Sequence, residues 1–343
     1  MLKTAEAVTP RHPDKMCDQI SDAILDWYLQ RDPLARVAVE TLGGHGKVYI
    51  VGEVTSAHAP IDEKTIDEIV QRVTGKDNLT KEVNIVSQSP EIANGVDTGG
   101  AGDQGIMVGY ACNDNEEMVP MEYYLARSLA KYIYAECPYD GKTQVTLEDG
   151  KVKTIVASFQ NTEAATLRFL IGQWFNALEE KGIKIETVEY ENGFLGGGVH
   201  ANPAGDWYQG GFDADTGLTG RKLMVDNYGP QVSIGGGCFS GKDATKVDRS
   251  AAYMARKIAT DILKSNDAKV VQVKLAYAIG VAEPVMVDVV AVKENGDILD
   301  AGWDMSAYNL TPKGIIEALG LRNPQYEQTA QWGHFGNGFT WDK

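Results

Sequence analysis

Two kinds of periodic segment alternate along this chain: short apolar runs with strand character, and longer runs in which apolar residues recur every three or four positions. Helices are predicted over residues 13–30, 61–74, 121–135, 162–181 and 249–264, with a shorter one between Thr311-Pro312 and Gly320. Strands are predicted over 36–42, 47–55, 143–148, 152–158, 222–228, 269–279 and 285–292. Because adjacent strands are followed by long helices, the pattern indicates an α+β protein whose helices cover one face of each sheet.

In the first helical segment, apolar and acidic side chains fall on different faces. We expect the core to receive Met16, Ile20, Ile24 and Trp27. We expect the solvent to receive Asp18, Asp22 and Asp26.

The charge balance excludes one class of partner. The 343 residues carry 32 Lys and Arg against 48 Asp and Glu, a formal net charge of -16, whereas binding to a nucleic-acid backbone needs a basic face. The segment 219–249 is different: it holds five basic residues (Arg221, Lys222, Lys242, Lys246 and Arg249) against three acidic ones (Asp226, Asp243 and Asp248), a balance of +2. A positive site in a negative protein suits a small anionic ligand.

Cellular location and metal content follow from other residue patterns. The four cysteines form no C-x-x-C pair, so they are expected to be reduced thiols. The start of the chain lacks an apolar secretory core, and no window approaches the ~20 apolar residues of a membrane span. The five histidines show no zinc-site spacing. We therefore expect a soluble, cytoplasmic protein without a membrane partner.

A glycine-rich and lysine-rich stretch, residues 235–249, has the composition of a polyphosphate site. Glycines let the backbone approach an anion, lysines neutralise it, and carboxylates can hold the accompanying Mg2+. Gly236 to Lys242 also fits G-x-x-x-x-G-K, but Asp243 stands where a P-loop has the Ser or Thr that binds magnesium. A P-loop kinase or ATPase is thus disfavoured but remains an alternative.

A second candidate site precedes the first helix. Pro13 suits the first helical position, which directs free N–H groups towards the surroundings of His12. His12 could donate to a phosphate oxygen, and Asp14 could bind a metal. The alternative is that both residues only complete the helix end.

A third cluster, Gly99 to Gly105, contains a G-x-G-x-x-G match. A dinucleotide-binding fingerprint follows a strand and opens a helix. Here a loop precedes the match, and the apolar run Ile106 to Tyr110 that follows it reads as a strand. We therefore reject a Rossmann site.

The three clusters occur with further motifs in an order that resembles the S-adenosylmethionine synthetase (methionine adenosyltransferase) family along nearly the whole chain. The matching motifs are His12-Pro13-Asp14-Lys15, Gly100 to Gly105, Gly217 to Lys222, Gly235 to Gly237, Phe239 to Asp243, Lys246 to Tyr253, Tyr277 to Pro284 and Gly333 to Gly336. The resemblance implies the reaction of ATP, L-methionine and water to S-adenosylmethionine, phosphate and diphosphate.

The resemblance also implies an architecture. It predicts three similar two-layer α/β domains in a pseudo-three-fold arrangement, covering residues 1–95, 100–210 and 211–343 and interleaved in space. It further predicts a homodimer or dimer of dimers, with active sites at the dimer interface.

The family's functional residues carry over onto matching positions. The catalytic set would be His12, Lys142, Arg221, Lys222 and Lys242. ATP would also contact Asp140, Ser158, Trp207, Asp215 and Cys238. Methionine would lie among Glu53, Gln88, Asp103, Asp215, Lys246 and Ile279. Two Mg2+ per site are expected, with Asp14 and Asp248 as ligands, and K+ is expected at Glu40. Taken singly, Asp248 also fits a helix N-cap, Glu53 a solvated strand end and Trp207 plain packing.

The chain departs from the family at several positions. Thr9-Pro10-Arg11 removes a carboxylate and is expected to place a cation beside the phosphates, Ile234 replaces a His, and Asp206 replaces an Arg. The segment from Gln88 to Asp103 is several residues shorter, from which we hypothesise a more open pocket that admits bulkier methionine analogues. A non-catalytic homologue is a further alternative, although it would have no need for the cation-rich site.

Overall fold

The computed structural model describes residues 1–88, 99–188, 198–299 and 302–343. The first third of the chain forms β1 (Leu2–Val8), α1 (Pro13–Leu29), β2 (Arg36–Gly44), β3 (Lys47–Thr55), α2 (Glu63–Thr74) and β4 (Thr80–Val86). The middle forms β5 (Gly105–Cys112), α3 (Met121–Glu136), β6 (Gly141–Glu148), β7 (Lys151–Phe159), α4 (Ala164–Glu180) and β8 (Val199–Ala201). The last third forms β9 (Gly217–Leu218), α5 (Leu223–Asp226), α6 (Val247–Ser265), β10 (Val270–Tyr277), β11 (Met286–Val292), α7 (Pro312–Leu319) and α8 (Tyr326–Trp332).

The same order of elements occurs three times. A leading strand and a long helix are followed by a hairpin and a second helix, as in α1-β2-β3-α2, α3-β6-β7-α4 and α6-β10-β11-α7. The described strands form three sheets, in the orders β4-β3-β2-β9, β1-β6-β7-β8 and β11-β10-β5. The three two-layer α/β units that the family resemblance implies are therefore present.

The leading strands are exchanged between the units. β1 pairs antiparallel with β6 of the second unit, β5 with β10 of the third, and β9 with β2 of the first. Each unit thus completes the sheet of another, and the buried apolar side chains form one continuous core. The domain boundaries given above remain a prediction.

Two of the hairpins turn over two residues that both have positive φ. His45 and Gly46 (φ 50° and 82°) join β2 to β3, and Asp149 and Gly150 (φ 48° and 83°) join β6 to β7. Turns of this kind match the twist of the strands they connect.

The predicted elements match the observed ones to within two residues, with one exception, but β1, β4, β8, β9 and α8 were not predicted. Residues 222–228 were expected to be a strand, whereas Leu223–Asp226 form the single turn α5. The Asp226 carboxylate accepts a hydrogen bond from Lys15 Nζ (2.7 Å), and its carbonyl accepts one from His334 N (2.8 Å). These long-range contacts stabilise a helical turn in this segment, although its residues favour a strand.

The orientation expected for α1 was also wrong in part. Met16, Ile20 and Ile24 are buried as predicted, but Asp18 and Asp22 are buried too, at 1% and 0% exposure. The reason is that α1 is buried on nearly every side, and backbone N–H groups of neighbouring loops replace water as partners of the aspartates. Trp27, expected inside, is only partly buried.

None of the helices in the described ranges combines the length and apolar character that a membrane span requires.

Candidate active site

His12 is the N-cap of α1, with Pro13 in the first turn as predicted. Its Nδ1 accepts a hydrogen bond from the Asp14 N–H at 3.2 Å. The ring proton is therefore assigned to Nε2, which is left as a donor. Burial, and secondarily the ammonium of Lys222, lower the pKa of His12 to about 4. His12 is thus a neutral donor at physiological pH.

Asp14, the second residue of α1, gathers two of the predicted phosphate-binding cations. Its Oδ1 accepts hydrogen bonds from Arg221 Nε (2.8 Å) and from the Leu218 N–H (2.9 Å), and its Oδ2 accepts one from Lys222 Nζ. Burial alone would raise the pKa of Asp14, but the hydrogen bonds from Lys222 and Leu218 outweigh it and lower the pKa. The carboxylate is therefore ionised and fully paired.

Asp248, the second residue of α6, holds a third cation in a similar way. Its Oδ2 accepts a hydrogen bond from Lys242 Nζ at 2.8 Å, and its Oδ1 accepts the Gly237 N–H at 2.9 Å. Burial would lower the pKa of Lys242, but the hydrogen bond to Asp248 raises it. Because Lys246 is the N-cap residue of α6, the N-cap alternative for Asp248 does not apply.

The two acid–cation groups are neighbours. Gly220, which precedes Arg221, is packed so closely against Cys238 that a Cβ on the glycine would lie 2.3 Å from the Cys238 Cβ. Cys238 in turn is close enough to Lys242 and Asp248 for both charges to act on its pKa, which burial raises. The Asp103 carboxylate also acts on Lys242.

Lys142, in strand β6, lies near His12. Its charge contributes to the lowered pKa of His12, as does that of Lys222, while Asp14 and Asp215 act in the opposite direction. Lys142 pairs with Glu6 on the neighbouring strand at 2.8 Å, and Ser158 lies opposite it in β7. His12, Lys142, Asp215 and Lys222 are thus brought together, and their contact with ATP stays a prediction.

Asp140 lies beside a cavity of about 260 Å3 that Arg11, Tyr139, Gln160 and Gly210 also line. Its Oδ2 accepts the Gly211 N–H at 2.8 Å, and burial raises its pKa to about 6. A Cβ on Gly210 would lie 3.0 Å from the Trp207 ring, which places Trp207 next to this cavity.

The residues predicted to bind the substrate methionine are distributed over several parts of the fold. Ile279 is 57% exposed and forms a backbone bridge with Ala101, two residues before Asp103. The Lys246 ammonium is bound to the buried Asp243, so it would have to change partner to bind a carboxylate. Lys246 is near Lys242 in the sequence. Ile279 is connected to the surroundings of Lys242 through the segment that carries Asp103.

Glu53 lies near the end of β3, where it is paired with Val86, the last residue of β4, and Gln88 follows two residues beyond the end of β4. Gln88 lines a separate cavity of about 370 Å3 with Val54 and His58, and its Oε1 is buried without a hydrogen-bond partner in the described ranges. Ala38 in β2 connects the regions, since it pairs with Glu53 on one side and bridges to Lys242 on the other. Glu40, two residues further along β2, is exposed.

Two of the departures from the family have structural roles. Arg11 was expected to add a cation beside the phosphates, but its Nη1 donates to the Val73 carbonyl near the end of α2. Asp206 accepts the Ala164 N–H at the start of α4 (2.9 Å) and an Asn202 amide proton (3.0 Å). The loop hypothesis concerns the segment from Gln88 to Asp103, of which residues 89–98 lie outside the described residues.

Sequence reasoning missed the acidic partners of the cations. Glu6 pairs with Lys142 and Asp243 with Lys246, while Asp18 and Asp22 hold the loops that carry Arg221 and Lys242. For Asp18 and Asp22, the available signal was the recurrence of aspartate at every fourth residue of α1.

The geometry around Lys242 differs from a P-loop. In a P-loop, the lysine opens a helix whose N-terminus faces the phosphates. Here residues 243–246 separate Lys242 from the start of α6 at Val247. The disfavoured alternative therefore receives no structural support.

Comparison with known protein families accounts for all but three residues of the chain. The N-terminal domain of S-adenosylmethionine synthetase matches residues 1–97, the central domain residues 98–205 and the C-terminal domain residues 209–343. The chain belongs to the S-adenosylmethionine synthetase family. It is accordingly an enzyme of the transferase class, in a family whose members generally use divalent and monovalent metal ions.

Individual relatives agree with this assignment. S-adenosylmethionine synthases from Sulfurovum sp. and Helicobacter hepaticus are each 43% identical to the chain, covering 99% and 100% of it and 95% of their own lengths. A solved S-adenosylmethionine synthetase from Campylobacter jejuni, described as unusual, is 32% identical and superimposes with a TM-score of 0.86 over 100% of this chain and 96% of its own.

The donor atoms near the cations suit Mg2+. This ion is commonly bound by one or two carboxylates together with substrate phosphates, rather than by a cage of protein ligands. Asp14 and Asp248 each present a carboxylate whose lysine partner could turn to a phosphate oxygen. Within the described ranges, no group of three or more His, Cys, Asp or Glu residues could hold a metal alone, which is compatible with a site completed by phosphates.

Proposed function

We propose that this chain converts ATP, L-methionine and water to S-adenosylmethionine, phosphate and diphosphate. In the first step, a lone pair of the methionine sulfur forms a bond to C5' of ATP, and the C5'–O bond breaks with its electron pair leaving on triphosphate. Water then splits triphosphate into phosphate and diphosphate. Because a thioether loses no proton when it attacks, the first step needs no general base.

The observation that supports this proposal is the pairing of each predicted phosphate-binding cation with a carboxylate. Arg221 and Lys222 pair with Asp14, Lys242 with Asp248, and Lys142 with Glu6. An incoming triphosphate would take over these cations. The released carboxylates of Asp14 and Asp248 would then be available to hold Mg2+.

The expected roles follow from charge. Arg221, Lys222, Lys242 and Lys142 would bind the phosphate oxygens, and His12, as a neutral donor, would hydrogen-bond the oxygen that leaves C5'. Mg2+ would supply further neutralisation of the charge that develops on the departing triphosphate. We place K+ at Glu40, adenine near Trp207 and Asp140, and methionine near Asp103, Glu53 and Lys246.

We further propose that the protein works in the cytoplasm as a homodimer or a dimer of dimers. The residues predicted to bind methionine come from strand β3 and from several loops. Exposed apolar side chains such as Ile106 and Met286 lie on a sheet face. Both features suit a site completed by a second subunit.

Incubation with ATP, methionine, Mg2+ and K+, followed by mass detection of the sulfonium product, tests the proposal. A parallel reaction without methionine separates the alternatives. A kinase or ATPase would transfer the γ-phosphoryl group to an acceptor or to water and so form ADP in both reactions, and a non-catalytic homologue would consume no ATP in either. Absence of the sulfonium under these conditions would refute the proposed reaction.

A further inference from the structure

Four aspartates recur at every fourth residue of α1, and each accepts backbone N–H groups from a distant part of the chain. Asp14 accepts the Leu218 N–H, Asp18 that of Gly220, Asp22 that of Gly241, and Asp26 those of Gln325, Tyr326 and Glu327. Asp14, Asp18 and Asp22 are at most 1% exposed. One helix face therefore anchors several loops.

Asp18 anchors the glycine that precedes two predicted phosphate-binding cations. Its Oδ1 accepts the Gly220 N–H at 2.8 Å, and its Oδ2 accepts Lys15 Nζ at 3.2 Å. Gly220 has a φ of 78°, and a Cβ there would lie 2.3 Å from the Cys238 Cβ. The position therefore requires glycine. Arg221 and Lys222 follow it directly in the sequence.

The same arrangement recurs one helical turn later. Asp22 Oδ1 accepts the Gly241 N–H at 2.8 Å, and Gly241 has a φ of 81° and directly precedes Lys242. In both cases a buried aspartate holds the N–H of a left-handed glycine, and a cation follows. Asp22 also neutralises the buried Arg249, so its substitution would combine two effects.

Asp26 provides the contrast. It accepts three N–H groups at the start of α8, with distances of 2.9 to 3.0 Å. No predicted phosphate-binding cation follows these residues. Asp26 thus shares the chemistry of Asp18 without its connection to the site.

We propose that Asp18 is a positioning residue for triphosphate binding. It acts through the Gly220 N–H, which fixes the direction in which the chain presents Arg221 and Lys222. Asp18 itself lies behind the loop and does not touch the substrate. This inference rests on the proposed function, because it takes the triphosphate of ATP as the ligand of these cations.

The test compares Asp18→Ala, Asp18→Asn and the matched control Asp26→Ala. Binding of inorganic tripolyphosphate with Mg2+ is measured by calorimetry, together with kcat, the KM values for ATP and methionine, and the melting temperature. We expect Asp18→Ala to bind tripolyphosphate about 10-fold more weakly and to lower kcat by about 10- to 100-fold, as small displacements of catalytic groups do. The KM for methionine should change little.

The two other variants separate positioning from stability. Asp26→Ala should lose a comparable amount of thermal stability but keep the wild-type tripolyphosphate Kd. Asp18→Asn retains an oxygen acceptor for Gly220, and Lys15 retains Asp226, so its Kd should stay within about 3-fold of wild type. Equal tripolyphosphate affinity in Asp18→Ala and Asp26→Ala would overturn the proposal.

Two outcomes need separate interpretation. If Asp18→Ala does not fold, Asp18→Asn decides, since a 10-fold loss of affinity in that variant would assign the effect to charge rather than to the hydrogen bond and would refute positioning. If the wild-type protein forms no sulfonium but binds tripolyphosphate, the proposed reaction fails. The comparison of Kd values would still test the role of Asp18.

Discussion

His12 has two roles that a single substitution can separate. Its Nδ1 caps α1, and its Nε2–H is a neutral donor. Asn is also a good N-cap residue, so His12→Asn should keep the helix start and lose the directed donor. We expect kcat to fall by about 10²-fold, a typical cost of removing one transition-state donor, with a wild-type melting temperature. Near-normal turnover would place His12 outside the chemistry.

The pKa of His12 adds a pH dependence to this prediction. Because burial lowers the pKa of His12 to about 4, the free enzyme keeps the ring neutral well below pH 6. We therefore expect no ionisation of His12 near pH 6.5 in the pH profile of kcat/KM for ATP. Wild type and His12→Asn should show the same pH dependence in this range. An ionisation near pH 6.5 that occurs in the wild type and is absent from His12→Asn would contradict the assignment of His12 as a neutral donor.

Lys242 should contribute through its charge. Lys242→Met retains much of the side-chain volume but removes the ammonium that pairs with Asp248. We expect turnover to fall by about 10²-fold or more. Lys257→Met is the matched control, because Lys257 lies in α6 and pairs with Asp261 on the same helix. Equal activity in the two variants would refute the assignment.

Glu122 is a buried carboxylate that the proposed reaction does not use. Both of its side-chain oxygens are buried without a hydrogen-bond partner in the described residues, and burial raises its pKa. The folded state therefore retains a proton at pH values where the unfolded state has lost it. Stability is consequently lost as pH rises from the ordinary range of a glutamate through the higher pKa of the folded protein.

Glu122→Gln should remove this pH-dependent loss. We expect the variant to melt at a higher temperature than wild type at pH 8, and the difference to shrink as the pH approaches 4.5. Thermal melts across this range provide the measurement, with the exposed Glu116→Gln as control. A constant difference between Glu122→Gln and wild type would show that ionisation is not the cause.

At the scale of elements, the sequence predicted what local periodicity determines. The long helices and the hairpins follow from apolar spacing and from turn residues such as Asp149-Gly150. The pairing of β1, β5 and β9 with strands of other units depends on contacts between distant residues, which no local pattern encodes.

The misplacement of Asp18 and Asp22 has a similar cause. A polar stripe on a helix normally faces water, but these carboxylates face loop N–H groups supplied from more than 200 residues away. Of the site, the motifs selected cations that the structure pairs with carboxylates, and their role in binding phosphate stays a prediction. Their acidic partners could not be identified, because the sequence does not show which carboxylate meets which lysine.

The turn at Gly241 should be far less tolerant than a turn of similar shape elsewhere. Gly241 and Gly150 have φ values of 81° and 83°, but a Cβ on Gly241 would lie 1.9 Å from the Val39 carbonyl, whereas one on Gly150 would meet nothing within 4 Å. Gly150→Ala should cost about 1–2 kcal/mol for the left-handed backbone. Gly241→Ala should cost about 3 kcal/mol or more.

Denaturant unfolding of both variants measures these costs. Tripolyphosphate binding by Gly241→Ala should also weaken, since Lys242 follows directly. Similar free energies of unfolding for the two variants would mean that the chain around Val39 relaxes without difficulty.

At the scale of the whole molecule, the three units share more than their order of elements. The second residue of each long helix is acidic: Asp14 in α1, Glu122 in α3 and Asp248 in α6. Asp14 and Asp248 face lysines, whereas Glu122 lacks a hydrogen-bond partner in the described ranges. The repeated fold thus provides three similar helix starts, two of which carry the proposed chemistry.

The proposed homodimer predicts a surface whose disruption should reduce activity. Met286, Ala276 and Ile106 form a row across β11, β10 and β5, on the face opposite the buried Leu275. Met286 and Ile106 are 38% and 50% exposed. Burial of such a face against a second copy would stabilise a dimer through the hydrophobic effect.

Met286→Lys places a charge in this row, so we expect it to weaken dimerisation and make specific activity rise with protein concentration. Phe169→Lys is the control, because Phe169 is 65% exposed but lies on helix α4. Sedimentation and activity are measured on the same dilution series. The proposed interface requires that Met286→Lys lose both dimer and activity on dilution while Phe169→Lys retains both, and a fully active monomer would rule it out.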